Sequence, residues 1–186
     1  TRECCEELRA FAEAPLLMDG RRKNARGEDG AMQVNARILR EHAGRTRKPI
    51  AAIRAFHDGP PEVQGKLEKW DAEDFRGMPA VLELCERSRV LLTQNLWVEV
   101  GLMNGALGTV VGFAWPVGGD PASDDSALKS PLCVIVEFDE LFFGSQSQRF
   151  FPGESGRERW VPIFRQKVFS ASEASVYREQ FPLVLA

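Results

Sequence analysis

The sequence predicts a mixed α/β fold, with helices and strands in its first half and a small β-barrel or sandwich in its second half. Apolar residues recur at three- and four-residue spacing in two segments before residue 45, which is the period of an α-helix. From Ser88 onward, short β-type runs alternate with glycine-containing turns. Hydrophobic residues make up 44% of the 186 residues and charged residues 27%, which is the composition of a folded globular protein.

Two helices and a short strand are predicted at the beginning of the chain. Residues 3–14 and 31–42 are expected to be helical because their apolar residues fall on one face. Pro15 and Gly44 supply the stop signals of these two helices. Residues 16–18 form an apolar run that is short enough for a buried strand.

The next stretch is predicted to be a strand and then mostly helical. Residues 49–56 have the pattern of a strand, and Pro60 and Pro61 separate this strand from the next segment. Residues 62–75 are polar and are expected to be helical, and residues 78–86 are expected to add one or two further helical turns.

The second half is expected to consist of four strands joined by turns and two long loops. Asn104 and Gly105 are a tight-turn signal, and Gly108 suggests either an unusual φ or a close backbone approach. The expected core residues are Val110, Val111, Val134, Val136 and Phe138. The predicted strands cover residues 89–93, 108–113, 132–138 and 159–164, and the loops cover residues 118–130 and 142–156.

Charge is unevenly distributed, although the formal net charge is only -3. Residues 21–54 carry ten Lys and Arg against three Asp and Glu, whereas residues 58–86 carry three against eight. This asymmetry fits a phosphate-facing strip beside an acidic face, and it also fits two solvated helix faces of opposite sign. No apolar run approaches the roughly 18 residues needed to cross a bilayer, and nothing near the N-terminus has the pattern of a signal peptide.

The sequence contains no self-contained catalytic or metal site. The four cysteines are too scattered for a CxxC pair, which excludes a structural zinc site and favours a reducing intracellular compartment with Cys85 and Cys133 as core residues. Neither a G-x-x-x-x-G-K-[ST] phosphate loop nor a G-x-S-x-G or H-E-x-x-H motif occurs. We therefore assign no catalytic residue and no metal ligand.

Five segments resemble, in the same order, the motifs of Pif1-like DNA helicases. The longest is RVLLTQNLWVEVGLMNGALGTVV at residues 89–111, which is similar to the family pattern R-V-M-L-T-R-N-L-W-x-E-x-G-L-x-N-G-x-x-G-T-V. The others are VN with PIAAIRAFHDG at residues 34–35 and 49–59, VIVEFD at 134–139, WVPI at 160–163, and REQFPLVLA at 178–186. One such match alone would be weak, whereas five in family order are a strong signal.

The resemblance implies a fragment of an ATP-dependent DNA helicase. Residues 1–88 would be a partial RecA-like α/β region, residues 89–170 an inserted SH3-like β-barrel, and residues 171–186 a return strand into the RecA-like region. The phosphate loop and the first RecA-like domain would precede Thr1, so the whole enzyme would use ATP and magnesium while this chain alone would bind neither. Its implied partners are single-stranded DNA and the missing first RecA-like domain, with no membrane. The implied location is intracellular, in the nucleus or mitochondrion of a eukaryote and otherwise in the cytoplasm.

The resemblance also implies which residues contact DNA. Thr93, Asn95 and Gln180 are candidate phosphate or structural contacts, Arg178 is a candidate phosphate or salt-bridge partner, and Trp97 is a candidate base-stacking residue. For Thr93 and Asn95 the alternative is a hydrogen-bonded strand end, and for Trp97 it is a place in the barrel core or a lid. Asn104, Gly105 and Gly108 are the expected structural turn.

Two departures from the family pattern bear on activity. Gln94 stands where the family usually has Lys or Arg, which removes a possible phosphate contact. Residues 20–32 are longer than the corresponding loop of the family. Two other functions stay open: a free-standing SH3-like or KOW-like module that binds nucleic acid or protein without a motor, and a decayed or domesticated helicase kept as an interaction protein.

The helicase hypothesis makes one demanding structural prediction. An insertion must leave and rejoin its host at nearby points, so Val90 and Leu183 are expected to lie close together. The run at residues 183–185 is expected to be a buried central strand that pairs with the α/β region.

Overall fold

The structure, a computed structural model, describes residues 30–60, 66–67, 70–119, 129–145 and 149–186. The helix predicted at residues 3–14 and the strand predicted at residues 16–18 lie outside these ranges. Contacts divide the chain into a unit Thr1–Val34, whose described part is the start of a helix, and a unit Asn35–Ala186, which contains the other described residues.

The described residues form one α-helix, two short 3-10 helices and ten strands, and the strands pair only in antiparallel fashion. The helix is α1 (Gly30–Thr46), and the 3-10 helices are Glu73–Phe75 and Val98–Val100. The strands are β1 (Ala51–Arg54), β2 (Phe56–Asp58), β3 (Val81–Leu84), β4 (Arg89–Leu92), β5 (Leu107–Ala114), β6 (Cys133–Phe138), β7 (Trp160–Ile163), β8 (Gln166–Phe169), β9 (Tyr177–Gln180) and β10 (Leu183–Leu185).

Helix α1 confirms the second predicted helix and continues one turn beyond it. Leu39 and Ala43, four residues apart and therefore on one face, are buried against Cys85. The helix ends at Thr46, whose hydroxyl donates to a carbonyl one turn earlier at 2.9 Å. Arg47 then takes a left-handed conformation with φ 55°, which stops the helix.

The segment at residues 78–86 is a strand, and the helical turns predicted there are wrong. Strand β3 pairs with β1, with Leu82 opposite Ile53 and Leu84 opposite Ala51. These four side chains are buried, whereas their neighbours along each strand are exposed or half-buried. The burial therefore has a period of two residues, which the pairing with β1 imposes on a sequence whose apolar spacing also fits a helix.

The strand predicted at residues 49–56 and the helix predicted at residues 62–75 are confirmed only in part. The strand divides into β1 and β2 at Ala55, whose N–H donates to Ala80 O at 2.8 Å. Of the predicted helix, the described residues show the 3-10 helix Glu73–Phe75, which ends with Arg76 in a left-handed conformation.

The largest sheet has five strands in the order β10-β4-β5-β6-β7. All four strands predicted in the second half are confirmed as β4, β5, β6 and β7. Of the expected core residues, Val110, Val134, Val136 and Phe138 are 0% exposed. Val111 is half-buried because the register shifts between Val110 and Gly112, which makes Val111 the extra residue of a β-bulge.

The β-barrel predicted for the second half is not confirmed. In the part of the chain that the structure describes, the five-stranded sheet does not close on itself, and β8 lies in a different sheet with the order β2-β9-β8. Strand β10, which lies outside the expected barrel, joins the large sheet. Strand β8, which lies inside the expected barrel, joins the small sheet instead. The mixed α/β fold class is confirmed.

Strand β10 lies beside β4, the strand with which the expected insertion begins. It pairs with β4, with Leu183 opposite Leu92 and Leu185 opposite Val90, which confirms the predicted proximity. Among the described strands β10 lies at the edge of the sheet and pairs with β4, the first strand of the expected barrel, so the prediction of a central strand that pairs with the α/β region is wrong there. Its link to the helix is a hydrogen bond from Asn35 Nδ2 to Leu185 O at 3.1 Å.

The three-stranded sheet covers a second hydrophobic core. Its buried members are Leu67, Phe75, Met78, Val168 and Val176, and Trp70 packs at its margin. Cys85 and Cys133 are buried as predicted, and burial raises the pKa of both thiols. Within the described ranges no helix has the length and apolar character needed to cross a membrane.

Candidate nucleic-acid interface

The segment that was predicted to contact DNA leaves the large sheet between β4 and β5. Two backbone hydrogen bonds close its base, from Leu92 N to Ala106 O at 2.9 Å and from Gly105 N to Leu92 O at 2.8 Å. Thr93 N donates to Pro182 O at 2.9 Å, just before β10 begins. The backbone at the start of the segment is thus fixed by both neighbouring strands.

Two buried polar atoms at this point have no hydrogen-bond partner among the described residues. They are Thr93 Oγ1 and Gln94 Nε2, which belong to consecutive residues. An unpaired buried polar group costs about 1–3 kcal/mol, so native proteins rarely keep one without a reason. A hydroxyl can donate or accept and an amide nitrogen donates, so the pair is suited to a ligand with acceptor oxygens.

Asn95 organises the turn of the segment. Its Oδ1 accepts from Asn104 N at 2.8 Å, across a separation of nine residues. Gly105 follows with φ 94°, a backbone conformation that residues other than glycine rarely adopt. The predicted turn at Asn104 and Gly105 is confirmed, and Asn95 has the structural contact that the sequence left open, while its side chain remains exposed.

Trp97 lies at the centre of the segment and is half-buried. It forms an isolated antiparallel bridge with Leu102, with both N–H to carbonyl distances at 3.0 Å. Its ring packs against the main core and meets Phe143 edge to face at a centroid distance of 6.1 Å. The core role that the sequence allowed for Trp97 therefore accounts for most of its surface.

Exposed apolar side chains follow the unpartnered atoms along the segment, and we call them the apolar rim. It consists of Leu96, Val98, Met103 and Leu107, whose exposed fractions are 36%, 50%, 42% and 41%. This segment therefore offers apolar surface to a ligand.

Arg178 is fully buried and serves the interior of the protein. Its guanidinium donates to Met78 O at 2.7 Å, Trp70 O at 3.0 Å and Leu67 O at 3.2 Å. It lies over the Phe75 ring, 4.1 Å from the centroid. Burial lowers the pKa of Arg178 to about 10, against the opposing effect of nearby Asp residues.

Gln180 is fully buried as well, two residues further along β9. Its Nε2 donates to Ile53 O at 3.0 Å, and its Oε1 accepts from Phe181 N at 3.0 Å. Neither Arg178 nor Gln180 exposes surface to a ligand in this arrangement. The structure therefore gives both residues structural contacts, and a DNA contact of either residue stays a prediction.

Gly108 allows two strands to approach closely, which is one of the two reasons anticipated for it. A Cβ at this position would lie 2.6 Å from Val136 Cγ1 and 2.8 Å from Glu137 O. One side of β5 is further fixed by an ion pair between Arg89 and Asp139, with Arg89 Nη1 also donating to Thr109 Oγ1 at 3.0 Å. The hydrogen bond from Arg89 lowers the pKa of Asp139, with the positive charges of Arg89 and Arg159 acting in the same direction and burial opposing them.

No group of three or more His, Cys, Asp or Glu residues in the described ranges has the geometry to hold a metal ion. The segment between β4 and β5 combines unpartnered hydrogen-bonding atoms with exposed apolar side chains.

Comparison with known proteins gives a match in structure only. No family model matches the chain, and no curated protein matches it. The Pif1 helicase from Candida albicans is similar at 22% identity with a TM-score of 0.50, over 83% of this chain and 32% of that one. A structure of two coordinating Pif1 helicases unwinding forked dsDNA matches at 18% identity and a TM-score of 0.49, over 84% of this chain and 25% of that one. Bacteroides Pif1 bound to ssDNA matches at 17% identity and a TM-score of 0.46, over 84% and 27%.

The likeness to the Candida albicans protein shows that the chain has the fold of a segment of a Pif1 helicase. The chain spans about a third of the length of that helicase. This fold agrees with the family that the sequence motifs indicate.

Gln94 is a member of the candidate site that the sequence pattern does not indicate. In the sequence it is a departure from the family pattern, yet its amide nitrogen is one of the two unpartnered atoms on this segment. A polar residue directly after the strand was visible in the sequence, but its burial depends on neighbours that the sequence does not identify.

Proposed function

We propose that this chain is a segment of a Pif1-type ATP-dependent DNA helicase, to which it contributes part of the second motor domain and a grip on single-stranded DNA. The fold and the ordered motifs support this proposal together, since neither depends on the other. A free-standing SH3-like module is less well supported, because the five-stranded sheet takes an edge strand from beyond the expected barrel.

The observation that carries the DNA contact is the pair of unpartnered atoms, Thr93 Oγ1 and Gln94 Nε2. Both residues are half-buried, so a rotation of each side chain would bring these atoms to the surface, where phosphate oxygens of a DNA strand would supply the acceptors that they lack. Trp97 packs against the main core and so holds the segment in place. Because Gln94 is neutral, the contact adds hydrogen bonds without adding a positive charge.

The whole enzyme would use ATP and magnesium, but the residues of this chain do not fit a nucleotide site by themselves. The sequence has no phosphate loop, and the described residues contain no acidic cluster for a cation. We therefore propose that a first RecA-like domain supplies the nucleotide site and that this chain alone does not hydrolyse ATP. Steady ATP turnover by the purified chain, with or without DNA, would contradict this part of the proposal.

The DNA contact is tested with apolar replacements of similar shape, Thr93→Val combined with Gln94→Met. Since the two atoms lack partners, their removal should leave the free energy of unfolding unchanged or slightly raise it. Affinity for a fluorescently labelled oligo-dT should nevertheless fall about tenfold, as expected for the loss of hydrogen bonds to a charged group. Fluorescence anisotropy measures the affinity, and urea unfolding measures the stability.

Thr46→Val is the matched control, because Thr46 lies at the end of α1 and already has a hydrogen-bond partner. It should leave the affinity for oligo-dT unchanged. A double variant that binds oligo-dT like the unchanged chain would refute the contact. A double variant that loses stability together with affinity would assign the two side chains a structural role instead.

A further inference from the structure

The outward face of the three-stranded sheet carries aromatic rings where a surface sheet usually carries polar side chains. Strand register places two rows of residues on this face, Phe56–Glu179–Lys167 and Asp58–Tyr177–Phe169. Phe56 is 56% exposed and Phe169 is 55% exposed. We call the group Phe56, Lys167, Phe169 and Tyr177 the aromatic face.

The inward face of the same sheet is fixed by buried contacts. Arg178 and Gln180 on β9 point inward and are held by hydrogen bonds to buried carbonyls, and Val168 on β8 belongs to the second core. The central and outer strands are thus anchored from below, so the rings above them are held on a rigid support. Rigid aromatic side chains lose little conformational entropy when a ligand binds them.

Phe56 is the outermost member of a stack that begins in the core. The guanidinium of Arg165 lies 4.9 Å from the ring centroid of buried Phe181 and 4.7 Å from that of Phe56. Arg165 is fixed in turn by hydrogen bonds to Glu179 O at 3.1 Å and Arg54 O at 3.2 Å. The ring of Phe56 is therefore positioned by a cation on its inner side, while more than half of its surface faces solvent.

Phe169 and Tyr177 form a second aromatic unit near the opposite edge of the sheet. Their rings meet edge to face with centroids 6.0 Å apart. Lys167 Nζ lies 3.5 Å from the Tyr177 centroid and 5.4 Å from the Phe169 centroid. The strand spacing and the residue rise place the Cα atoms of Phe56 and Phe169 about 12 Å apart, with Tyr177 between them.

We propose that the aromatic face is a second contact surface for single-stranded DNA, on which bases stack on Phe56 and Phe169 while Lys167 contacts the phosphate backbone. This inference rests on the proposed helicase function and adds a site to it. Exposed rings combined with cations are the chemistry by which proteins bind single strands without reading their sequence.

The charges on this face make the inference specific. Asp58 and Glu179 share the face with Lys167, so acidic side chains outnumber basic ones among these three. Stacking and not counterion release should therefore supply most of its affinity. An oligonucleotide without bases should bind this face poorly, and the loss of a ring should leave the salt dependence of binding almost unchanged.

The test uses the full chain with Phe56→Leu and Phe169→Leu, singly and together. Each leucine keeps an apolar side chain but removes the ring, so the dissociation constant for labelled oligo-dT should rise about fivefold per ring or more. Phe56→Trp keeps a ring and should retain or increase affinity. An abasic oligonucleotide of equal length should bind the unchanged chain and the leucine variants equally.

The outcomes separate this inference from the proposed function. If the Thr93 and Gln94 variant loses affinity while the leucine variants keep it, only the aromatic face is refuted. If Phe56→Trp behaves like Phe56→Leu, the ring is not a stacking partner and the inference fails. If the unchanged chain does not bind oligo-dT at all, both proposals fail, and a protein partner is left as the occupant of the face. Thermal unfolding by circular dichroism should show the leucine variants folded, since both rings are more than half exposed.

Discussion

Replacing Arg178 by methionine should destabilise the protein strongly, although the change removes a charge from its interior. Methionine has a similar length and needs no hydrogen-bond partner. It would leave Met78 O, Leu67 O and Trp70 O without the guanidinium donors that now bind them. Leu67 and Met78 are members of the second core, and Trp70 packs at its margin.

The loss in the free energy of unfolding can be estimated from these contacts. Two of the three hydrogen bonds are buried, and an unsatisfied buried carbonyl costs about 1–3 kcal/mol. Loss of the contact with the Phe75 ring adds about 1 kcal/mol, and the relief from burying a cation offsets part of the total. We expect the free energy of unfolding to fall by about 3 kcal/mol or more, which is a large share of the stability of a typical domain.

Urea unfolding followed by tryptophan fluorescence and circular dichroism measures this loss. Arg178→Lys keeps the charge but cannot reach three carbonyls in one plane, so it should give an intermediate loss. Arg37→Met is the matched control, because Arg37 is largely exposed on α1 and its contact with Glu41 spans 3.9 Å, so it should change stability by less than about 0.5 kcal/mol. A loss below about 1 kcal/mol for Arg178→Met would refute the reasoning.

Two further predictions concern the large sheet. Gly108→Ala should cost about 1–3 kcal/mol, because its Cβ would overlap the Val136 side chain, whereas Gly112→Ala meets nothing within 4 Å and should be nearly neutral in the same unfolding assay. Equal effects of the two changes would contradict the close approach. The pKa of Asp139 is lowered by Arg89, so this carboxylate stabilises the fold above its ordinary value of 3.8 and loses that contribution as the pH falls through its lower folded value. Asp139→Asn should therefore cost up to about 1 kcal/mol at neutral pH, with the difference from the unchanged chain vanishing in acid, and a difference that grows in acid would contradict the sign.

The strands of the large sheet could be predicted because they are short, apolar and bounded by turn residues. The alternation of apolar residues along the strand correctly placed Val134, Val136 and Phe138 in the core. It could not place Val111, since a bulge changes which side of the sheet a residue faces. Nor could the alternation of apolar residues decide whether the sheet closes into a barrel, because a strand pattern does not say which edge each strand will join.

The segment at residues 78–86 shows a different limit. Its apolar spacing satisfies both a helix and a strand, and only the partner strand β1, more than twenty residues earlier, selects the strand. Strand β9 lies inside the return strand predicted at residues 171–186, but its division from β10 was not predicted, for a related reason. Its buried Arg178 and Gln180 are acceptable only because carbonyls of distant residues accept their hydrogen bonds.

The candidate site was predicted in part. The motif placed Thr93, Asn95 and Trp97 on one segment, and the structure keeps all three there. It did not reveal that Gln94 would be buried without a partner. The aromatic face was missed because the sequence separates β2 from β8 and β9 by more than a hundred residues.

Strands β9 and β10 have a consequence for the timing of folding. Strand β9 pairs with β2 and β8, strand β10 pairs with β4, and Asn35 reaches across 150 residues to Leu185. A ribosome that has released residues 1–176 has therefore not yet supplied the strand that joins β2 to β8 or the guanidinium that closes the second core. Contacts over such separations form slowly, because a long loop must close before they contribute. During synthesis the aromatic and apolar surfaces of this chain should thus stay accessible to chaperones until these two strands emerge.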